Sequence, residues 1–260
     1  MPPSTDDATT RFTDRVDAYV KYRPGYPTEL LTGLAELVGL RPTDTLADLG
    51  AGTGLSSKLF LDHGNAVIGV EPNTAMRAAG ARFLAGAARF RMVDGTAEAT
   101  GLAAHSVDGV VAGQAFHWFA PDRARTEALR ILRPGGFAAL IWNSRPLAGT
   151  PFLQAYEAFC TQFGTDYTAV NHTTTVTPER LDSFFGAGRW VKRVYPNAQI
   201  FDFDGLHGRV LSSSYLPDPT QASYPAMLAA LRELFAAQAQ DGRVRFAYDT
   251  ELYAGKLAAD

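Results

Sequence analysis

Apolar residues are spaced along this chain in two alternating rhythms. Short continuous runs of a kind that suits strands covered on both faces occur at Thr45-Leu46-Ala47, Ala66–Val70, Val107–Ala112 and Phe137–Trp142. Between them lie stretches with helical spacing: Glu29–Val38 after Thr28 as an N-cap and before Gly39, Leu55–Leu61, Thr74 to Ala85 after the cap Asn73, and Pro121 to Leu132. A further strand is expected around Arg89–Val93. Five strand–helix repeats in succession predict an α/β fold with a doubly wound, mostly parallel sheet.

The rhythm breaks after Asn143. Residues 152–163 and 179–186 read as helices flanking the polar stretch Asn171–Thr175, which marks an insertion. Residues 189–203 read as a strand and 205–214 and 223–240 as helices. After the Asp241-Gly242 turn, 243–257 reads as a last strand. The expected organisation is one domain over 1–260. Residues 1–40 supply N-terminal helices or a lid, 44–143 a cofactor-binding core, 144–187 and 205–240 cap-like insertions, and 189–203 and 243–257 the final strands. Ahead of the core, Phe12, Val16, Tyr19 and Val20 form a helical stripe ending at Tyr22-Arg23-Pro24-Gly25-Tyr26-Pro27, where two prolines and a glycine force an extended turn.

The densest chemistry is Asp48-Leu49-Gly50-Ala51-Gly52-Thr53-Gly54, a glycine turn between a strand and a helix. Glycine admits positive φ and close approach of a ligand, and a helix N-terminus offers unpaired N–H groups. A dinucleotide G-x-G-x-x-G requires glycine at position 55 or 57, occupied by leucine and serine, and a phosphate loop starting at Gly50 also requires glycine at 55. An NAD-linked oxidoreductase and a nucleoside-triphosphate enzyme are therefore disfavoured. An acid-x-Gly-x-Gly-x-Gly turn remains, with Glu71 closing the next strand.

Five further segments accompany it: Tyr22–Pro27, Gly69-Val70-Glu71-Pro72-Asn73, Gly95-Thr96-Ala97-Glu98, Gln114–Phe119 and Leu132–Gly136. In this order the motifs resemble the methyltransferase-11 type of class I S-adenosylmethionine-dependent methyltransferases, in particular the trans-aconitate methyltransferases and related small-molecule O-methyltransferases. The resemblance implies a Rossmann-like seven-stranded sheet with its last strand antiparallel, and S-adenosyl-L-methionine as cofactor. It assigns the cofactor to Asp48, Gly50, Ala51, Gly52, Thr53, Gly54, Glu71, Pro72, Met76, Thr96, Ala97, Gln114, Ala115, Phe116, Tyr22 and Arg23. Glu71 is expected to accept from the ribose hydroxyls, Asp48 to face the ammonium end directly or through water, and Thr96 with the Ala97 backbone to meet adenine, with Asp94 in reserve.

Methyl transfer from a sulfonium is an in-line displacement, so a base is optional. His117 is the best-placed ionisable group, either as general base or as a residue shaping the pocket. Tyr19, Tyr26, Trp118, Asn143, His207, Arg209 and Tyr215 are candidate acceptor contacts. The expected function is transfer of a methyl group to a small organic carboxylate or hydroxyl; the alternative is a cofactor-binding protein without turnover, acting in regulation or assembly.

Composition changes this picture little. A net charge of −3, from 24 basic and 27 acidic residues, gives no reason to expect a nucleic-acid partner. No stretch approaches the ~20 apolar residues of a membrane span. The single cysteine, Cys160, excludes an intrachain disulfide and a cysteine-based zinc site, and no metal is expected. These readings point to a cytoplasmic protein with a small-molecule substrate, and leave the acceptor atom and the oligomeric state open.

Overall fold

The structure, a computed structural model, describes residues 20–146, 149–165, 167 and 176–257. Seven strands form one sheet in the order β3-β2-β1-β4-β5-β7-β6. They are β1 (Thr45–Leu49), β2 (Ala66–Val70), β3 (Phe90–Val93), β4 (Val107–Gly113), β5 (Leu132–Ser144), β6 (Val191–Phe201) and β7 (Val244–Lys256). The first five run parallel, and β7 enters between β5 and β6, antiparallel to both. Alternation along each strand sorts the core into two layers. Ala138, Leu140 and Trp142 face one side with Ala47 and Leu49, while Phe137, Ala139 and Ile141 face the other with Leu46.

Helices α1 (Glu29–Val38) and α2 (Leu55–His63) cover the second face, and α4 (Pro121–Ile131) and α6 (Pro178–Phe185) the first. Helix α3 (Thr74–Phe83) closes the β2–β3 edge. Local signals mostly hold. Gly39 ends α1 in the left-handed region at φ 78°, and Asn73 caps α3 by accepting from the Met76 N–H at 2.9 Å. Thr28 does not cap α1. It is itself helical and its hydroxyl turns to the Glu29 carboxylate.

The stretch read as an insertion divides between two places. Helix α6 joins the sheet layer beside α4, whereas α5 (Pro151–Phe163) packs with α7 (Phe203–Leu211) and α8 (Tyr224–Gln238) around Phe201, Val244, Phe246 and Tyr248. The register explains where this second core sits. Strand β7 pairs with β5 only from Lys256 back to Asp249, opposite Ser144, and its remaining half continues with β6 alone. The β6–β7 pair therefore projects past the carboxyl end of β5 and carries three helices beyond that edge of the sheet.

Candidate active site

β1 and β4 are neighbours with helices leaving toward opposite faces, so a crevice opens at their carboxyl ends, where open parallel sheets bind ligands. The glycine turn lies there. Gly50, Gly52 and Gly54 all have positive φ, at 65°, 55° and 84°, but they do different work. A Cβ on Gly50 would stand 2.7 Å from the Ala115 methyl, and one on Gly54 2.7 Å from Leu84, so both permit close packing. A Cβ on Gly52 would meet only the Met76 methyl at 3.4 Å. Gly52 is thus the glycine of the turn that faces open space, with Met76 at its border.

Two buried carboxylates belong to the turn and its neighbouring strand. Glu71, 8% exposed, accepts from the Gly52 N–H at 2.9 Å through one oxygen and from the Asn73 N–H at 2.8 Å through the other. It fixes the glycine turn to the start of α3 while each oxygen keeps a lone pair for a further donor. Burial raises its pKa. Asp48 is fully buried, and one oxygen accepts from the Ser56 and Ser57 hydroxyls at 2.6 and 2.7 Å. Its other oxygen has no partner among the described residues, and neither has the buried Thr53 hydroxyl. Burial without a cation pushes Asp48 up to about 6.

The remaining assigned residues separate into those at the crevice and those committed elsewhere. Ala51 is buried in the turn, and Pro72 follows Glu71 into α3. Gln114 ends β4 at φ 59°, a left-handed conformation rare outside glycine, and its amide reaches the Asn143 carbonyl at 3.4 Å. His117 and Trp118 pack at a tilt in the short turn Phe116–Trp118 with ring centroids 4.8 Å apart, both half-buried. Phe116, read as a cofactor contact, instead lies in the sheet–helix core, edge-on to Phe119, Trp142 and Phe184. Thr96 uses its backbone N–H and carbonyl on Ala99, beside the buried Ala97. Asp94 is 72% exposed on the side chain and pairs with Arg77 at 3.3 Å.

Residues 22–27 cross the same edge. The Gly25 carbonyl accepts from Asn143 at 3.1 Å and Asn197 at 2.9 Å, and the Tyr26 hydroxyl lies over Gly113 and Ser56. Tyr22 packs on Gly208, and Arg23 donates to the Ser212 carbonyl at 2.7 Å, so this segment is docked on the cap. Asn143 is a clamp, also accepting from Thr250 at 2.6 Å and from Asn197 at 3.1 Å. Tyr19 lies outside the described residues. In the cap, His207 bonds to the Tyr224 hydroxyl at 2.8 Å, Tyr215 packs at a tilt against Tyr167, and Arg209 is buried. Sequence reasoning passed over Ser56, Ser57, Arg145, Glu157 and Tyr156. The two serines follow the glycine motif at helix positions where they reach back to Asp48, but nothing local marks the other three.

Comparison with known proteins bears on this geometry. Residues 47–140, from β1 through the first half of the β5 pairing, match the model of a methyltransferase domain family. Over these residues the chain is similar to a methyltransferase domain. An uncharacterised methyltransferase of Mycobacterium tuberculosis is 38% identical over 149 residues, 56% of this chain and 57% of its own length. Another, from Schizosaccharomyces pombe, is 36% identical over 137 residues, 51% and 52% of the two chains. The chain thus spans little more than half the length of these curated relatives. In overall fold the chain matches a structure from Anaeromyxobacter dehalogenans, provisionally named a type II methyltransferase, with a TM-score of 0.65 at 22% identity over 92% of this chain and all of that one. A Geobacter sulfurreducens S-adenosylmethionine-dependent methyltransferase, solved with S-adenosyl-L-homocysteine, has a TM-score of 0.52 at 19% identity over 94% and 96% of the two chains. The fold is the one the motifs predicted, seven strands with the last antiparallel to its neighbours. Among the described residues no group of acidic, histidine or cysteine side chains is arranged to hold a metal ion, and no helix is long and apolar enough to cross a membrane.

Proposed function

We propose that this protein binds S-adenosyl-L-methionine at the glycine turn and transfers its methyl group to a small organic acceptor, a carboxylate or hydroxyl oxygen being favoured. The observation that carries the reading is the combination, within one turn, of an open side at Gly52 with unsatisfied buried polar atoms, the free Asp48 oxygen and the Thr53 hydroxyl. A buried acceptor left without a donor costs about 1–3 kcal/mol, which a cationic ligand group recovers directly or through one water. The cofactor fits that donor set: its ammonium end is a donor for Asp48, and its ribose hydroxyls are donors for the lone pairs Glu71 keeps.

When bound, the cofactor supplies a methyl group on a good leaving group. The chain's part is then alignment and exclusion of water. Glu71 orients by fixing the turn, Met76 and Ala97 supply apolar walls, and the Tyr22–Pro27 segment covers the edge. His117, at the carboxyl end of β4, shapes the pocket or accepts a proton from a hydroxyl acceptor at a ring nitrogen. A small acceptor is favoured because the edge is covered by the docked segment and the cap, and the chain has no basic balance for a polymer backbone.

The test is twofold. Gly52→Val is expected to stay folded and lose S-adenosylhomocysteine binding by calorimetric titration; normal affinity in a folded variant moves the pocket elsewhere. Wild-type protein incubated with labelled cofactor and a metabolite extract is expected to yield a labelled small molecule. Binding without any labelled product replaces the enzyme reading by that of a cofactor-binding regulator.

A further inference from the structure

The cap encloses a charge that its described residues do not balance. Arg209, on α7, is 4% exposed, yet its guanidinium meets only neutral groups: the Tyr248 hydroxyl at 3.2 Å, the Ser213 and Ser212 hydroxyls at 2.9 and 3.4 Å, and the face of Phe246 at 5.4 Å. No carboxylate among the described residues pairs with it. A second arginine, Arg145, follows directly on β5 and is also largely buried, but it pairs with Glu157 at 2.6 Å, and the Tyr167 hydroxyl bonds to both. Among the described residues, two guanidinium groups and one carboxylate leave one positive charge over. Buried charges are ordinarily paired, because the desolvation of a lone ion costs several kcal/mol.

A donor waits in the same place. The Tyr156 hydroxyl is fully buried and has no oxygen or nitrogen partner among the described residues, its polar neighbour being the Cys160 thiol, a weak acceptor. Its ring lies under Arg145 at 5.0 Å, packs edge-on to Phe246, and is within electrostatic reach of Arg209 as well. An unpaired cation and an idle hydroxyl donor therefore share one aromatic cluster, which meets solvent where the Arg145 and Glu157 side chains keep 13% and 28% exposure.

We propose that Arg209 and Tyr156, backed by Arg145, form the anchoring site for a single carboxylate on the acceptor substrate. Charge balance selects the class. One unmatched positive charge suits a monoanion, whereas a phosphate monoester carries ~1.5–2 negative charges near pH 7. The Phe246 and Tyr156 rings suit an apolar or aromatic body attached to that carboxylate, and a guanidinium is well shaped to bind one in a bidentate pair. The site lies beyond the carboxyl end of β5, the edge that carries the glycine turn. The inference rests on the methyl-transfer reading for its role as an acceptor site, but the anion site itself can be tested independently.

Benzoate, its neutral analogue benzamide and phenyl phosphate are the probes, titrated by calorimetry into the protein with and without saturating S-adenosylhomocysteine. Benzoate is expected to bind at least ten times more tightly than benzamide and more tightly than phenyl phosphate. Arg209→Gln is expected to abolish that preference while keeping S-adenosylhomocysteine affinity. If Arg209→Gln does not fold, Tyr156→Phe removes one hydroxyl from the same site and is expected to cut the preference several-fold. Equal binding of benzoate and benzamide, no detectable benzoate binding, a preference for phenyl phosphate, or a preference that survives in the folded variants would overturn the site. Failure of S-adenosylhomocysteine to bind the wild type would instead strike the cofactor reading, leaving the benzoate comparison intact.

Discussion

Asp48 sets stability against binding. Burial holds its carboxyl at about 6, above the ordinary value of 3.8, so the folded chain keeps a proton that the unfolded chain releases. The contribution of Asp48 to stability is therefore highest below about pH 4 and falls as pH rises to about 6, by at most about 3 kcal/mol. Asp48→Asn can still accept from Ser56 and Ser57 and carries no charge at neutral pH. It is expected to be more stable than wild type at pH 7, to show a weaker pH dependence between 4 and 6, and to bind S-adenosylhomocysteine less tightly. Denaturant titrations across pH with calorimetry check this; a variant less stable at pH 7, with affinity unchanged, would make Asp48 a purely structural group. The motif identified Asp48 from sequence. Its partners were not legible, because Ser56 and Ser57 meet it only once α2 has folded back over β1.

At the scale of elements, the segment from Tyr22 to Pro27 depends on a ladder of asparagines. Asn143 on β5 joins Gly25, Thr250 and Asn197, so one side chain ties the docked segment to the last two strands. Asn143→Ala strands the buried Thr250 hydroxyl and is expected to cost about 1–3 kcal/mol. Hydrogen exchange in residues 22–27 is expected to quicken while β1 and β4 stay protected. Exchange that accelerates equally across the sheet would show that Asn143 supports the core, not the segment. The tight turn was readable from its prolines and glycine. Its docking was not, since the Asn197 and Ser212 partners lie more than 170 residues away in sequence.

The whole molecule contains two cores with separate work. The sheet layers hold the glycine turn, and the projecting β6–β7 pair holds the cap around Phe246, which touches Phe152, Tyr156, Phe201 and Tyr248. Phe246→Ala leaves a cavity at the centre of that second cluster and is expected to cost about 3–5 kcal/mol. S-adenosylhomocysteine is expected to bind the folded variant nearly as well as wild type, because none of the glycine-turn residues packs on Phe246. A parallel loss of affinity, followed by calorimetry at a temperature where the variant is folded, would mean that cap and sheet act as one unit.

Sequence alone determined what depends on neighbours in the chain. The strand runs, the helical stripes and the cap at Asn73 follow from local periodicity and hydrogen bonding, as does the glycine turn bounded by Asp48 and Glu71. Tertiary structure decided what depends on distant partners. Only the β5–β7 register showed that the last strands project past the sheet edge to carry a cap, and only packing placed α6 in the sheet layer rather than in that cap. Phe116 reads like its neighbours in the β4 loop until the sheet and α6 close around it. Arg145, Tyr156 and Arg209 come from three separate elements, and their charge imbalance exists only where the fold brings them together and excludes water.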